Sequence, residues 1–445
     1  MRVRGEVLTG EDLQRSHDRA RVVDARHRRR RLALWWLLIG PGVLAMLGEN
    51  DGPSMLSYAA TGATYGIGFF LPFIVLTFLA AYVVQEMAMR VGAVTHRGYG
   101  ELVFQRFGRF WGWLSAGDLV VTNFVTLITE LIAVRVGAAY FGVPPLVAVG
   151  AGVALVVFSV AGGRYWRWER VALSLAGLNL VFLVAGVMTH PDPAALAGAF
   201  ATWKPLPGGS LQTFLLLLAS DIGATVTPWM IFFQQSAVVD KGMTPRDIPE
   251  GRLDTLAGAL LAALAGCGAL LAAAVLFEHH VDPAQLQAGT GFAQALQRWA
   301  GAPVAALFSI GLIEAGALAL LTISASTAYA VGEAVSGAHS FNRRIGEAPL
   351  FYALNVGTAA LAAAIVLIPG APLLSIALNA NLLAIVLMPA ALVFLILLAS
   401  DREIMGTQAN RSSTNLWAAG VTGLVAFAGS AYAVVAFLAT VGGTR

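Results

Sequence analysis

The sequence predicts an all-α polytopic membrane protein with eleven transmembrane helices. Hydrophobic residues make up 58% of its 445 residues and charged residues only 12%, whereas a soluble domain carries about 25% charged residues. Apolar stretches long enough to cross a bilayer recur along the chain, and two of them are interrupted at corresponding positions. This combination predicts two five-helix inverted repeats, each beginning with a broken helix, followed by one extra helix.

The basic N-terminal segment, residues 1–32, precedes the first apolar stretch. It holds ten arginines between Arg2 and Arg31, and basic residues beside a first span keep that end of the span in the cytoplasm. We therefore expect a cytoplasmic tail, with contact to anionic lipid as a smaller role. Because topology explains these charges, we expect no nucleic acid partner.

The apolar stretches give the positions of the eleven predicted spans. They lie near residues 33–62, 67–89, 111–140, 145–162, 171–188, 211–238, 255–277, 303–332, 350–369, 373–399 and 415–439. With the N-terminus inside, 24 of the 28 lysines and arginines fall in the inner segments, and the C-terminus falls outside. The two repeats and the extra helix are then predicted at 33–188, 211–399 and 415–439.

The first span is interrupted in its middle by the polar stretch Glu49–Ser54. A carboxylate inside an apolar span is costly and is found in membranes mainly where it has a function. Unwinding a helix also frees carbonyl oxygens that can bind a cation. We expect the Asp51 carboxylate, the Ser54 hydroxyl and the Gly48 carbonyl to bind a metal ion. Glu49 is expected either to join them or to line a hydrated vestibule.

The sixth span is interrupted by the stretch 223–228, which contains two threonines and a proline. We expect the Ala224 carbonyl and the Thr227 hydroxyl to face the same ion. Sites built from oxygen alone suit magnesium, calcium or manganese, whereas imidazole and sulfur favour softer metals. The sequence contains seven histidines, and all of them fall outside the predicted spans.

Four further polar residues lie in the predicted spans. Asp221 is expected at the outer mouth of the sixth span. Glu130 and Arg135 lie in the third span and form either a structural ion pair or part of a proton relay. Asn381 in the tenth span is expected either to reach the site or to bond to the backbone.

Several of these segments resemble the Nramp (natural resistance-associated macrophage protein) family of metal transporters. The family's first-helix motif Asp-Pro-Gly-Asn corresponds to Asp51-Gly52-Pro53-Ser54, and its sixth-helix motif Gly-Ala-Thr-Val-Met-Pro-His corresponds to Gly223–Trp229. Segments that also fit are Gly62–Gly66, Gln85–Gly92 with Thr95, and Met388–Gly406. The resemblance covers residues 36–406 and implies a LeuT-like fold with the first and sixth helices broken.

This chain departs from the family pattern at most of the implied site positions. Asp51 stands where the family has its metal-binding aspartate, but Ser54 replaces an asparagine ligand and Thr227 replaces a methionine ligand. Trp229 and Gln234 replace two histidines. Asn381 stands where the tenth helix usually offers glutamine, and Thr126 and Thr129 stand near an acidic pair tied to proton movement.

These departures resemble the Nramp-related magnesium transporter branch, whose members carry Mg²⁺ as well as Mn²⁺ without proton coupling. Loss of the thioether removes a soft ligand that disfavours Mg²⁺. Mg²⁺ dehydrates reluctantly, so smaller ligands would leave room for a partly hydrated ion. Loss of the helical histidines and the third-span acids would remove the usual proton-transfer groups.

The resulting prediction is a transporter in the bacterial inner membrane that imports Mg²⁺ and Mn²⁺ by alternating access without proton coupling. The metal ion is its substrate, the bilayer its surroundings, and no cofactor or enzymatic activity is expected. One alternative is a proton-coupled Mn²⁺/Fe²⁺ transporter that uses Glu49, Glu130 or Asp221. Another is a sensor that binds metal without moving it. The oligomeric state is left open.

Overall fold

The structure, a computed structural model, describes residues 10–161, 164–282, 286, 290–335, 337–368 and 373–442. Within these ranges the regular structure is helical, and nine helices are long and apolar enough to cross a membrane. The predicted all-α membrane fold is therefore confirmed. The exact number of eleven spans stays a prediction, because the first predicted span is divided into short helices and the fourth forms only the 16-residue helix Pro145–Val160.

The first half of the chain contains eleven helices among the described residues. In chain order they are α1 (Gly10–His27), α2 (Arg31–Leu38), α3 (Pro41–Gly48), α4 (Gly52–Tyr65), α5 (Phe70–Thr95), α6 (Tyr99–Phe107), α7 (Arg109–Tyr140), α8 (Pro145–Val160), α9 (Tyr165–Ala176), α10 (Val181–Met188) and α11 (Pro193–Thr202). A short 3₁₀ turn, Gly177–Leu180, joins α9 to α10. These two helices together form the fifth span.

The second half begins with the sixth predicted span. Its described helices are α12 (Leu211–Gly223), α13 (Pro228–Asp240), α14 (Ile248–Glu278), α15 (Gly291–Trp299), α16 (Ala302–Ala334), α17 (Pro349–Val366), α18 (Leu373–Ser400), α19 (Arg402–Met405) and α20 (Ser412–Gly442). The sixth span is therefore divided between α12 and α13.

Proline and glycine produce both breaks. In the first, α3 ends at Gly48, Asp51 is extended at φ −78° and ψ 177°, and Pro53 lies in the first turn of α4. In the second, Thr227 is extended at φ −122° and ψ 154°, and Pro228 begins α13. Proline has no N–H and a fixed φ, so it fits a first helical turn but interrupts a continuing helix. The two predicted breaks are both present.

The centre of the molecule is built on α14 and α16. Helix α14 packs against α3, α4, α5 and α10, and α16 packs against α7 and α17. Glycines let these helices approach closely: a Cβ on Gly62 would lie 2.2 Å from the Leu270 carbonyl oxygen, and one on Gly137 would lie 2.5 Å from the Ser309 carbonyl oxygen. Small residues at such contacts are typical of membrane helix packing.

We expect Gly62→Ala to destabilise the protein, because the added methyl group would push α4 away from the α14 backbone, which cannot rotate aside as a side chain can. Overpacking of this kind costs about 1–3 kcal/mol or more. The matched control is Gly117→Ala on α7, where an added Cβ has nothing within 4 Å. Thermal unfolding of the detergent-purified variants should show a lower Tm for Gly62→Ala alone. Equal Tm values would contradict the close α4–α14 contact.

Helix α1 differs from the tail expected from composition. Its side chains Val22 and Ala25 are buried. Val22 belongs to an apolar cluster at the ends of four spans, which also contains Leu38, Met89, Ala93, Val238, Met243 and Ile248. Charged groups reinforce the contact, since Arg19 and Arg26 both form ion pairs with the buried Asp247. The basic composition concealed this small apolar face, and α1 is a docked helix.

Candidate metal site

The two breaks face each other inside the helix bundle. Helix α4 packs against α12, and α3 packs against α13. All six residues predicted to hold the metal are buried, with side-chain-bearing members between 0% and 5% exposed; they are Gly48, Asp51, Ser54, Ala224, Thr227 and Asn381. The fold therefore brings residues of the first and sixth spans to one interior region.

Asp51 caps the second half of the first span. Its Oδ1 accepts a hydrogen bond of 2.9 Å from the backbone N–H of Ser54, as an N-cap residue does. The Ser54 hydroxyl oxygen is buried and has no hydrogen-bond partner among the described residues. A buried hydroxyl without a partner is costly, so this oxygen is available to a bound ion or its water.

A hydrogen bond links the two breaks directly. The Thr227 hydroxyl donates to Glu49 Oε2 at 2.6 Å, while Glu49 Oε1 is buried without a partner. Two roles were predicted for Glu49, a metal ligand or a residue that lines a hydrated vestibule. Its side chain is 0% exposed, so it does not line a vestibule in this structure. The Thr227 oxygen keeps lone pairs that can face an ion while its proton is held by the carboxylate.

Glu130 on α7 reaches the first break from the side. Its Oε2 accepts a 2.9 Å hydrogen bond from the backbone N–H of Gly52, the residue after Asp51, and its Oε1 is buried without a hydrogen-bond partner among the described residues. A second buried carboxyl group therefore lies beside the break, where a proton or a cation would stabilise it. Arg135 donates instead to the Val366 carbonyl at 2.8 Å, so the predicted ion pair with Glu130 is wrong.

The neighbouring threonines do not take part in this contact. Thr126 and Thr129 donate to carbonyl oxygens of their own helix at 2.9 and 2.7 Å. Glu130, one residue after Thr129, is the acidic residue of the third span that reaches the break, in the region where the sequence named it as a candidate for a proton relay. Packing decides which residue of α7 faces the break, and sequence spacing alone does not distinguish neighbouring positions such as Thr129 and Glu130.

A second polar layer lies beside the site and includes Asp221. Its Oδ1 lies 2.6 Å from Ser57 Oγ, and its Oδ2 accepts a 2.9 Å bond from Thr61. Asp221 is 0% exposed, so the predicted place at an outer mouth is wrong. Asn381 Nδ2 lies 3.5 Å from Ser220 Oγ in the same layer. Asp221 therefore joins the two broken helices through hydroxyl groups.

Sequence reasoning overlooked the hydroxyl-bearing face of α4. Ser57 contacts Ser220 Oγ at 2.8 Å, and Tyr58 donates to the Ala224 carbonyl at 2.9 Å. With Ser54 and Thr61 these residues recur at the three- and four-residue spacing that shares one helix face. That spacing was the available signal. The Tyr58 bond uses one lone pair of a carbonyl predicted as a ligand and leaves the other.

Trp229 and Gly48 are adjacent through packing. A Cβ on Gly48 would lie 3.0 Å from Trp229 Cη2 and 3.0 Å from Thr322 Oγ1. The indole ring thus covers the backbone at the end of α3. Gly48 and Ala224 stand at the C-terminal ends of α3 and α12, where helix carbonyls lack partners and the helix dipole is negative. Two negative helix ends therefore converge on the site.

The unwound part of the first span is also held by an amide network. Asn50 Nδ2 donates to Asn179 Oδ1 and to the Ala262 carbonyl, both at 2.9 Å. Asn179 Nδ2 in turn donates to Glu314 Oε2 at 3.0 Å. These bonds tie Asn50, the residue before Asp51, to the fifth, seventh and eighth spans.

The electrostatic character of the site is negative. Among the described residues no lysine or arginine forms an ion pair with Glu49, Asp51 or Glu130. The same part of the chain contains no group of three or more His, Cys, Asp and Glu placed to hold a metal by themselves. A cation here would therefore be held by carboxylates together with hydroxyls, carbonyls and water.

Comparisons with known proteins agree with this arrangement. The family model described as natural resistance-associated macrophage protein-like (Nramp) matches residues 42–435. A Pseudomonas aeruginosa protein named divalent metal cation transporter MntH 1 is 27% identical over 303 residues, 64% of this chain and 66% of that protein. A Deinococcus radiodurans protein named divalent metal cation transporter MntH is 25% identical over 399 residues, 84% of each chain.

Solved structures show the same fold. The Eremococcus coleocola manganese transporter, crystallised with an aromatic bis-isothiourea compound, superposes with a TM-score of 0.72 at 19% identity, covering 88% of this chain and 84% of that one. MhsT in complex with L-phenylalanine superposes with a TM-score of 0.57 at 15% identity, covering 88% and 97%. These neighbours confirm the predicted LeuT-like fold class.

Proposed function

This chain belongs to the Nramp family, and from that membership we propose that it carries divalent metal ions across the membrane in which it is embedded. The names of the two MntH relatives support the proposal. The match to the Pseudomonas aeruginosa relative spans 66% of that protein's length. Family membership also supports a transporter over an enzyme. The observation that carries the proposal is the meeting of two broken helices around Asp51 in the buried centre of the bundle.

The proposed ligands come from both breaks. The Asp51 carboxylate supplies charge, the free Ser54 hydroxyl and the Thr227 hydroxyl supply neutral oxygens, and the carbonyls of Gly48 and Ala224 complete the set. Asn381 lies in the neighbouring polar layer, 3.5 Å from Ser220, and is proposed to contact an outer water. All of these ligands are oxygens, as Mg²⁺ and Mn²⁺ prefer.

We propose Mg²⁺ as a substrate along with Mn²⁺. The position that holds a thioether in the family holds Thr227, whose proton is engaged by Glu49 at 2.6 Å. Mg²⁺ keeps several waters when it binds proteins, and buried carboxylate oxygens without partners, such as Glu49 Oε1, can accept hydrogen bonds from those waters. The site therefore suits a hard ion that enters partly hydrated.

Transport is proposed to follow alternating access between two five-helix repeats, 33–188 and 211–399, with 415–439 as an added helix. The charge distribution favours a cytoplasmic N-terminus and an external C-terminus in a bacterial inner membrane. A divalent ion moving inward then gains about 4.6 kcal/mol per 100 mV of inside-negative potential, at ~2.3 kcal/mol per charge. That potential can drive uptake without a coupled ion.

One observation favours a second candidate function, proton-coupled Mn²⁺ transport. Glu130 accepts a hydrogen bond from the Gly52 N–H, one residue after Asp51, so a carboxyl group stands where it can exchange a proton as the metal binds. The Eremococcus coleocola structural neighbour is itself a manganese transporter. The two candidates differ in whether protons enter with the metal.

Proteoliposomes containing the purified protein test both candidates. We expect external Mg²⁺ and Mn²⁺ to reach an internal metal indicator, faster at an inside-negative potential, with no change in an internal pH dye. Protein-free liposomes provide the control for leakage. Metal-driven internal acidification would instead establish the proton-coupled candidate, and metal binding without flux would contradict transport and leave the sensor.

A further inference from the structure

A cavity of about 590 Å³ opens where the docked N-terminal helix meets the beginning of the first span. Its walls include the arginines Arg26, Arg29 and Arg30 and the apolar side chains of Leu32, Trp35 and Leu253. This cavity lies apart from the metal site, and none of its lining residues is a proposed metal ligand. Guanidinium groups beside exposed apolar walls favour a ligand that has both an anionic group and an apolar part.

The charges in this cavity are unbalanced. Glu250 also lines it, but its carboxylate is taken by Arg26, which binds Glu250 at 2.9 Å and Asp247 at 3.0 Å. Arg29 and Arg30 form no ion pair or side-chain hydrogen bond within the described part of the chain, and both are exposed. Two guanidinium groups are therefore free to bind an anion.

Local backbone geometry directs these arginines to the cavity. Helix α1 ends at His27, and Arg29 adopts a left-handed φ of 51° that reverses the chain before α2 begins at Arg31. The preceding helix is anchored, since Arg19 donates to Thr244 Oγ1 at 3.0 Å and Val22 is buried. The turn is thus held at a fixed position against the loop that leads into α14.

The apolar walls continue from the arginines onto the outer surface of the bundle. Leu32 is 85% exposed, Leu253 is 56% exposed and Trp35 is 36% exposed. In a membrane protein such side chains at the end of a span contact acyl chains, and tryptophan favours the interface with the headgroups. A ligand that fills this cavity therefore needs an anionic head and an apolar body.

We propose that this cavity binds an anionic phospholipid of the adjacent leaflet. The phosphodiester lies against Arg29 and Arg30, whose guanidinium groups bind phosphate oxygens in bidentate geometry, and the acyl chains lie along Leu32 and Trp35. Basic pockets beside transmembrane helices bind anionic headgroups in this way. The bound lipid also adds contacts that keep α1 on the start of α14.

Native mass spectrometry with phosphatidylglycerol and phosphatidylcholine tests this assignment. We expect the wild-type protein to retain phosphatidylglycerol preferentially and the double variant Arg29→Gln/Arg30→Gln to lose about 30-fold in that affinity. The estimate is about 1 kcal/mol per arginine at 1.4 kcal/mol per tenfold. The matched control is Arg28→Gln, since Arg28 is 61% exposed, pairs with Asp24 at 2.8 Å and does not line the cavity.

Three results of the binding measurements would overturn the proposal, and a fourth comes from competition with a soluble phosphate. The three are equal phosphatidylglycerol binding by the double variant and the wild type, an equal loss in Arg28→Gln, and equal retention of phosphatidylcholine by the wild type. Competition with soluble glycerol phosphate distinguishes the source of the phosphate. Displacement of the lipid at comparable concentration would mean that the cavity recognises phosphate alone, which contradicts a lipid site. Metal uptake by the double variant is measured separately, so the outcome is independent of the transport proposal.

Discussion

Asp51→Ala is expected to abolish metal uptake by proteoliposomes. The substitution removes the charged ligand that the first break presents. The other proposed ligands are neutral hydroxyl and carbonyl oxygens. Loss of an outer-shell partner alone commonly costs 10–100-fold in metal affinity, so loss of a direct carboxylate ligand should cost about 100-fold or more. Isothermal titration with Mn²⁺ should therefore show no binding at concentrations that saturate the wild type.

The Asp51 carboxylate also caps α4, so its removal affects stability as well as binding. Loss of an N-cap costs about 0.5–2 kcal/mol, and the Ser54 N–H would lose its 2.9 Å acceptor. The control is Asp51→Asn, whose side-chain oxygen can still cap the helix but carries no charge. We expect Asp51→Asn to keep the wild-type Tm and still lose uptake.

Two results would count against Asp51 as the central ligand. Normal uptake by Asp51→Asn would show that the charge is dispensable. Loss of uptake confined to Asp51→Ala, with a matching fall in Tm, would show that the residue serves only as a helix cap. A loss in both variants at different Tm values separates binding from folding.

The broken helices were predictable from sequence because their signal is local. Gly52-Pro53 and Thr227-Pro228 each place a helix-interrupting residue beside polar groups inside an apolar run, and the structure breaks both helices there. The side chains across the site were less predictable. Glu130 faces the break because of how α7 packs against α4, and in a 32-residue helix sequence spacing did not decide between neighbouring positions.

The surroundings of Asp221 and of α1 also could not be predicted from the sequence, because both depend on residues far away in the chain. The sequence places Asp221 on the correct span but gives no depth, and its buried partners Ser57 and Thr61 lie about 160 positions earlier in the chain. Helix α1 has a strongly basic sequence, yet Val22 and Ala25 are buried and two of its arginines pair with the distant Asp247. Long-range pairing of this kind is set by the tertiary structure and not by local composition.

Thr227→Met is expected to change metal selectivity more than any other single substitution in the site. The thioether adds a soft ligand that favours Mn²⁺ and, more strongly, Cd²⁺ over Mg²⁺. The same change removes the hydroxyl that donates to Glu49 Oε2 at 2.6 Å and leaves a buried carboxylate without its donor, which further disfavours the hydrated ion. We expect the ratio of Cd²⁺ to Mg²⁺ uptake to rise about tenfold, or ~1.4 kcal/mol.

Two substitutions at the same position separate the causes. Thr227→Ser keeps the hydroxyl and should retain wild-type selectivity, whereas Thr227→Val keeps the shape and removes the hydroxyl without adding sulfur. If the hydroxyl orders the hydration of the ion, Thr227→Val should lower Mg²⁺ uptake without improving Cd²⁺ uptake. A Cd²⁺ gain in Thr227→Val equal to that in Thr227→Met would show that sulfur is not the cause. Wild-type Mg²⁺ uptake by both Thr227→Val and Thr227→Met would contradict a role for the hydroxyl. It would mean that the Thr227 oxygen contacts neither the ion nor one of its bound waters.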